Sequence, residues 1–251
     1  MALQLPPPSA NKYFAQYGYP LTPTEQWFWQ HGTSFPKSKF KKTNVVSAIR
    51  KTRELISAPK WTLAYQVINK LARIPTIQAV FVTGSLSMSN CQESDDIDLM
   101  LITTPYTLWL TRALVVVYLS LKKLRRNRVT RNRICDNLYL ETGSLSLSNR
   151  SLFVAHELLQ AKCLFDRSSV HKQLLLANPW VQSYLPVAYS ETLKKLPSPL
   201  FIYSSYFYLA PANLVAYIFQ YLIMRHKITS EKIGLNFAFF HPRVMINTYG
   251  Q

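Results

Sequence analysis

An α/β fold built on a mixed sheet is predicted for this chain by three observations. Two runs rich in β-branched and apolar residues, Ile77–Thr83 and Ile97–Thr103, are separated by a Gly-Ser turn and a polar segment. A third run of the same kind, residues 134–140, follows an apolar helical stretch long enough to form a crossover. Helical periodicity prevails on both sides of these runs, so the sheet is expected to carry flanking helices and a helical C-terminal region.

The elements follow in order. Residues 1–42 contain Pro6, Pro7, Pro8, Pro20, Pro23 and Pro36 with Trp27, Phe28 and Trp29 among them, which predicts an extended arm anchored through its aromatics. From Thr43, a capping residue type, Val45, Ile49, Thr52 and Ile56 recur at helical spacing until Pro59, which is expected to stop the helix. A second helix fits residues 61–72, with Ala64, Val67, Ile68 and Leu71 on its inner side. Strand 77–83 ends at Gly84, and strand 97–103 leads through Pro105 into a helix over 106–124. Further helices are expected over 152–162, over 173–185 with a break at Pro179, over 213–226, and in a short piece after Ser230. The predicted division is an arm over 1–42, a core over 43–150 and a helical region over 151–251.

With 251 residues the chain can bury a sizeable core. Its 29 Lys and Arg against 12 Asp and Glu give a formal charge of +17, a field that favours nucleic acid, nucleotide phosphates and anionic headgroups. Three scattered cysteines, Cys91, Cys135 and Cys163, make neither a disulfide framework nor a CxxC metal site, so a reducing, cytoplasmic setting is expected. The first fourteen residues lack the basic-then-apolar order of a signal peptide. The apolar stretches 108–124 and 201–224 are interrupted, by Arg112 and by Pro211, Asn213 and Gln220, and are read as buried helices with peripheral membrane contact left open.

Chemistry concentrates between residues 84 and 98. Alternate residues of a strand share a face, so Asp96 and Asp98 point the same way while Ile97, Leu99 and Leu101 point into a core. Two adjacent carboxylates repel each other unless a cation lies between them, and all-oxygen donors favour Mg²⁺ or Mn²⁺. Gly84 permits close backbone approach to a phosphate and Ser85 adds a hydroxyl donor. The pair His156-Glu157 begins HELLQ rather than HExxH, so His156 is expected to pack within a helix, as His241 is expected to be structural.

Gly84-Ser85, ten intervening residues and Asp96-Ile97-Asp98 opening a strand resemble the nucleotidyltransferase superfamily that includes polymerase-β-like, CCA-adding and antibiotic-modifying enzymes. The resemblance covers residues 77–103 firmly and extends loosely to 141. Residues 155–162 (AHELLQAK) and 238–244 (AFFHPRV) also look like parts of bacterial proteins carrying this domain. It implies a nucleotidyltransferase-like mixed sheet, Mg²⁺ (or Mn²⁺), a nucleoside triphosphate donor and transfer of a nucleotidyl group to an acceptor hydroxyl with release of pyrophosphate. On this basis Asp96 and Asp98 hold metal, Gly84, Ser85 and Ser87 bind the nucleotide, and the next strand supplies a third carboxylate. Asp136 is preferred for that role on position, with Glu141, of opposite parity, as the alternative. The chain departs from the family at Ser87, Met88 and Ser89, where a second glycine is usual, and at Asp95, to which no ligand role is assigned. Lys122, Lys123, Arg125, Arg126, Arg128, Arg131 and Arg133 suit an RNA backbone, another polyanion or a triphosphate tail, and equally a solvated basic loop. A non-catalytic nucleic-acid-binding module on the same fold is the alternative function.

Overall fold

A computed structural model describes residues 9–32, 47–198, 206–226, 228 and 231–240. Short helices α1 (Ala10–Ala15) and α2 (Pro23–Phe28) open it, followed by the long α3 (Ala48–Leu71), β1 (Ile77–Thr83) and the single turn α4 (Gly84–Ser87). Then come β2 (Ile97–Thr103), α5 (Leu108–Leu121), β3 (Ile134–Glu141), α6 (Leu152–Gln160) and β4 (Lys162–Asp166). The order closes with α7 (Val170–Leu176), α8 (Val181–Tyr184), α9 (Pro186–Lys195), α10 (Ala210–Met224), β5 (Lys232–Ile233) and β6 (Phe237–Phe239).

The α/β fold with a mixed sheet is present: the strand order is β4-β1-β2-β3-β6-β5, and among the described strands only β2 and β3 run parallel. A parallel pair needs a crossover, and α5 provides it. The faces are sorted by strand parity. Phe81, Met100, Ile102 and Leu140 pack under α1, α6, α7 and α9, while Val80, Val82, Leu99, Leu101 and Tyr139 pack under α3 and α5.

Several elements differ from expectation for physical reasons. The N-terminal segment is helical where described. Ser9 caps α1, and Thr22 and Glu25 form a capping box around Pro23, while Tyr13, Phe14, Tyr19 and Trp29 enter the core. Thr43 and Val45 lie outside the described residues, and the cap of α3 is Ser47. Pro59 does not stop α3. Its ring faces solvent, while Ser57 and Lys60 on the opposite side are pinned to the loop before β2, so tertiary contacts override the local penalty. Lys162 begins β4 rather than ending a helix, and the segment after Ser230 forms β5 and β6. The stretch 173–185 divides among α7, α8 and the loop between them, which contains Pro179.

Helix α10 inverts the expected burial. Asn213 accepts hydrogen bonds from the Trp109 and Leu110 N–H groups, capping α5, and Gln220 bonds Arg112 and the Trp109 carbonyl. Its apolar side faces outward: Val215 is 66% and Phe219 65% exposed. Together with the 3₁₀ turn Phe207–Leu209, it is long and apolar enough to cross a membrane by length and composition.

Candidate metal centre at the head of strand β2

Pairing places the site residues before any ligand is considered. Antiparallel β1 sets Thr83 opposite Asp98, and parallel β3 sets Cys135 opposite the same residue. Gly84 therefore turns directly over the Asp98 carboxylate. It adopts φ +63°, and a Cβ there would lie 2.5 Å from Asp98 Oδ2. Only a glycine satisfies both conditions.

The loop between α4 and β2 is braced from three sides. Asp95 Oδ2 accepts hydrogen bonds from Ser85 Oγ and the Gln92 N–H, both at 2.9 Å. Buried Lys60 uses all three ammonium protons on the Glu93 carbonyl, the Asp95 carbonyl and Asn132 Oδ1, at 3.2, 2.6 and 3.0 Å. Ser57 Oγ accepts the Cys91 N–H. Ser89 holds φ +52°, and Trp61 Nε1 donates to its hydroxyl. The brace fixes Asp96 and Asp98 at the opening of the strand.

Ligand atoms of Asp96, Asp98 and Cys135 lie within 4.8 Å of one another. Arg126 Nη1 sits 2.8 Å from Asp96 Oδ2, and Asn137 Nδ2 donates to Asp98 Oδ1 at 2.6 Å. The Asp98 carboxyl is pushed up to about 7, first by burial and then by the charges of Asp96 and Glu157, against a smaller pull from Arg126. Burial, followed by the same two aspartates, pushes the Cys135 thiol up to about 12. A neutral thiol is a poor partner for a hard cation, so the two carboxylates are the donors that fit Mg²⁺ or Mn²⁺. Asn137 Oδ1 is buried without a hydrogen-bond partner among the described residues, leaving one further oxygen beside the pair.

The expected third acid does not join this cluster. Asp136 pairs with Leu99, which turns its side chain to the opposite face of the sheet, where it accepts from Arg125 Nε at 2.9 Å and the Tyr139 hydroxyl at 3.2 Å. Glu141 Oε1 accepts the Thr107 and Leu108 N–H groups at the start of α5. A different carboxylate arrives from α6: Glu157 accepts the Gly84 N–H, and burial pushes it up to about 7. Strand parity could exclude Asp136 only once the register was known, and no local pattern links Glu157 to a motif so distant in sequence.

The expected nucleotide contacts are already engaged within the chain. Ser85 bonds Asp95, Ser87 Oγ donates to the Gly84 carbonyl, and the Gly84 N–H serves Glu157. The basic run splits in two. Arg125 pairs with Asp136, Arg126 with Asp96 and Arg131 with Glu93, and Arg133 donates to the Lys123 carbonyl. Lys122, Lys123 and Arg128 are exposed. His156 packs as expected, stacked on Tyr13 with ring centroids 3.9 Å apart, and burial holds it well below the usual imidazole range.

No protein-family model matches the chain, and no curated protein sequence does. Among solved structures it is similar to the crystal structure of a "putative nucleotidyltransferase" from Sulfolobus solfataricus, at 15% identity and a TM-score of 0.27, over 40% of this chain and 81% of that one.

Proposed function

We propose that the protein is a nucleotidyltransferase that depends on Mg²⁺ or Mn²⁺ and moves a nucleotidyl group from a nucleoside triphosphate to an acceptor hydroxyl. The observation that carries this reading is the pair Asp96 and Asp98, held side by side at the head of β2 with Gly84 closing over Asp98. A bound divalent cation would offset the repulsion of the pair and the charge of the triphosphate. Asp96 and Asp98 hold that cation, and Asn137 orients Asp98 through its amide. Glu157, rather than Asp136, is the carboxylate placed to receive a proton from the acceptor. Arg126, supplied by the basic loop, balances Asp96 when the cation is absent and is positioned to meet phosphate oxygens when it is present.

The test is pyrophosphate release from each common nucleoside triphosphate with Mg²⁺ or Mn²⁺, comparing wild type with D96N and D98N. Release by wild type and its loss in both variants supports the assignment; equal release by the variants overturns it. A second reading, a non-catalytic polyanion-binding module, is favoured by one observation: the Gly84 amide and Ser85 hydroxyl are bonded within the chain while Lys122, Lys123 and Arg128 face solvent. It predicts RNA binding that weakens steeply with salt and is indifferent to D96N and D98N.

A further inference from the structure

A cavity of about 960 Å³ lies on the Asp98 face of the sheet, within the range of small-molecule sites. Its floor is Met100, Leu138, Leu140, Phe237 and Phe239, and its walls come from the loop after β3 and from α6 and α7. Leu147, Phe153, Val154 and Leu158 make those walls apolar. Polar side chains line it too, among them Ser144, Ser146, Ser148, Gln173, Lys232 and Asn236. Thr83 and Glu157 stand at the metal-centre end, one residue from Gly84 and bonded to it. Thr142 beside the loop after β3 is 8% exposed.

We infer that this cavity is the acceptor site and takes a hydroxyl compound with an apolar body, its hydroxyl turned toward Glu157. The inference rests on the nucleotidyl-transfer reading for its chemistry, though not for the binding itself. In the step, the acceptor oxygen forms a bond to the α-phosphorus and the bond from that phosphorus to the β-bridging oxygen breaks. Pyrophosphate leaves with that electron pair, and the hydroxyl proton passes to the Glu157 carboxylate. The floor of Met100, Leu138, Leu140, Phe237 and Phe239 supplies the contact for the apolar body.

The probes are n-alkan-1-ols of six to twelve carbons, with glycerol as the polar control. Binding is followed by calorimetry, and pyrophosphate release is measured in parallel. Binding should tighten with chain length, glycerol should not bind, and 1-decanol should raise pyrophosphate release at least tenfold over water alone. V154W, which fills the chamber, should weaken decanol binding at least tenfold while leaving circular dichroism and Mn²⁺ affinity unchanged. E157Q should retain decanol binding and lose the stimulation. No alkanol binding, or binding that V154W does not affect, overturns the cavity assignment and leaves the metal-centre reading intact. Tight binding with no pyrophosphate release from any acceptor overturns the transfer reading and leaves an apolar-ligand site standing.

A separate observation carries a second inference. The outward sides of α5 and α10 expose Leu114, Val117, Leu121, Leu214, Val215, Ile218, Phe219 and Ile223, while the polar residues of α10 face inward. Residues 108–133 and 206–226 contain no acid, and Lys122, Lys123, Arg128 and Arg225 are exposed near the helix ends. We propose that this face rests on an anionic lipid surface, with apolar side chains in the headgroup boundary and the cations on phosphates. Vesicles of phosphatidylglycerol and phosphatidylcholine should pellet the protein at least tenfold better than phosphatidylcholine alone, and V215E/F219E should abolish the difference. Absence of pelleting overturns the proposal. So does a dimer in solution that V215E/F219E disperses, which would assign the face to a second copy of the chain.

Discussion

Replacing Gly84 by alanine would put a methyl carbon 2.5 Å from Asp98 Oδ2 and hold an L-residue at φ +63°. The backbone term alone costs about 1–2 kcal/mol, and relief of the clash must displace the Asp98 carboxylate. G84A is therefore expected to lower the melting temperature and to weaken Mn²⁺ binding by calorimetry, whereas G18A, at φ +61° in open space, should affect only stability. Lys60 is the second residue on which the site depends. Its three hydrogen bonds reach two loop carbonyls and Asn132, so K60M leaves three acceptors unpaired and should destabilise the fold by about 3 kcal/mol in urea titrations. Arg126 acts oppositely. Its guanidinium occupies the position of a counter-charge to Asp96, and R126A should tighten Mn²⁺ binding several-fold if the cation and the arginine compete.

At the scale of elements, the site is a meeting of β2, α4 and α6, and the last of these brings a second acid into the same buried region. Glu157 and Asp98 are both pushed up to about 7, so the folded state holds protons that the unfolded chain releases near pH 4. Stability from these groups is complete below about pH 4 and falls as pH rises to about 7. E157Q removes the Glu157 share: its melting temperature should exceed that of wild type by at least about 3 °C at pH 8 and match it at pH 4. Identical curves at both pH values would show that α6 does not crowd the centre. Helix α3 shows the same dependence on neighbours. Pro59 reads as a stop in any local window, and the helix continues because Ser57, Lys60 and Ala64 are anchored across it.

For the molecule as a whole, cation binding and protonation are linked. A divalent cation held by Asp96 and Asp98 would bind the ionised pair, so below pH 7 each binding event would expel the proton that Asp98 retains. Mn²⁺ affinity should climb about tenfold per pH unit between pH 5 and 7 and level off above, and the cation-induced rise in melting temperature should follow the same curve. A flat profile would mean that Asp98 is not a ligand. The net charge of +17 acts at this scale too, although three of the seven cations in the basic run are spent on internal pairs: Arg125, Arg126 and Arg131 each face a carboxylate.

The sequence by itself determined the strands Ile77–Thr83 and Ile97–Thr103, because a buried strand is written in a short run rich in β-branched and other apolar residues. It also placed Gly84, Asp96 and Asp98 at their ends, since a glycine turn and period-two parity are local properties. Tertiary structure decided what completes the centre. Asp136 and Cys135 are neighbours in the chain, and the register of a parallel pair alone chose the cysteine to face Asp98 and sent the aspartate to Arg125. Glu157 reaches Gly84 only because β4 returns to the free edge of β1 and brings α6 with it. The polarity of α10 was decided the same way. Its asparagine and glutamine look like interruptions of a buried helix, and they are the side that docks, because the exposed backbone groups of α5 needed partners more than the apolar face needed cover.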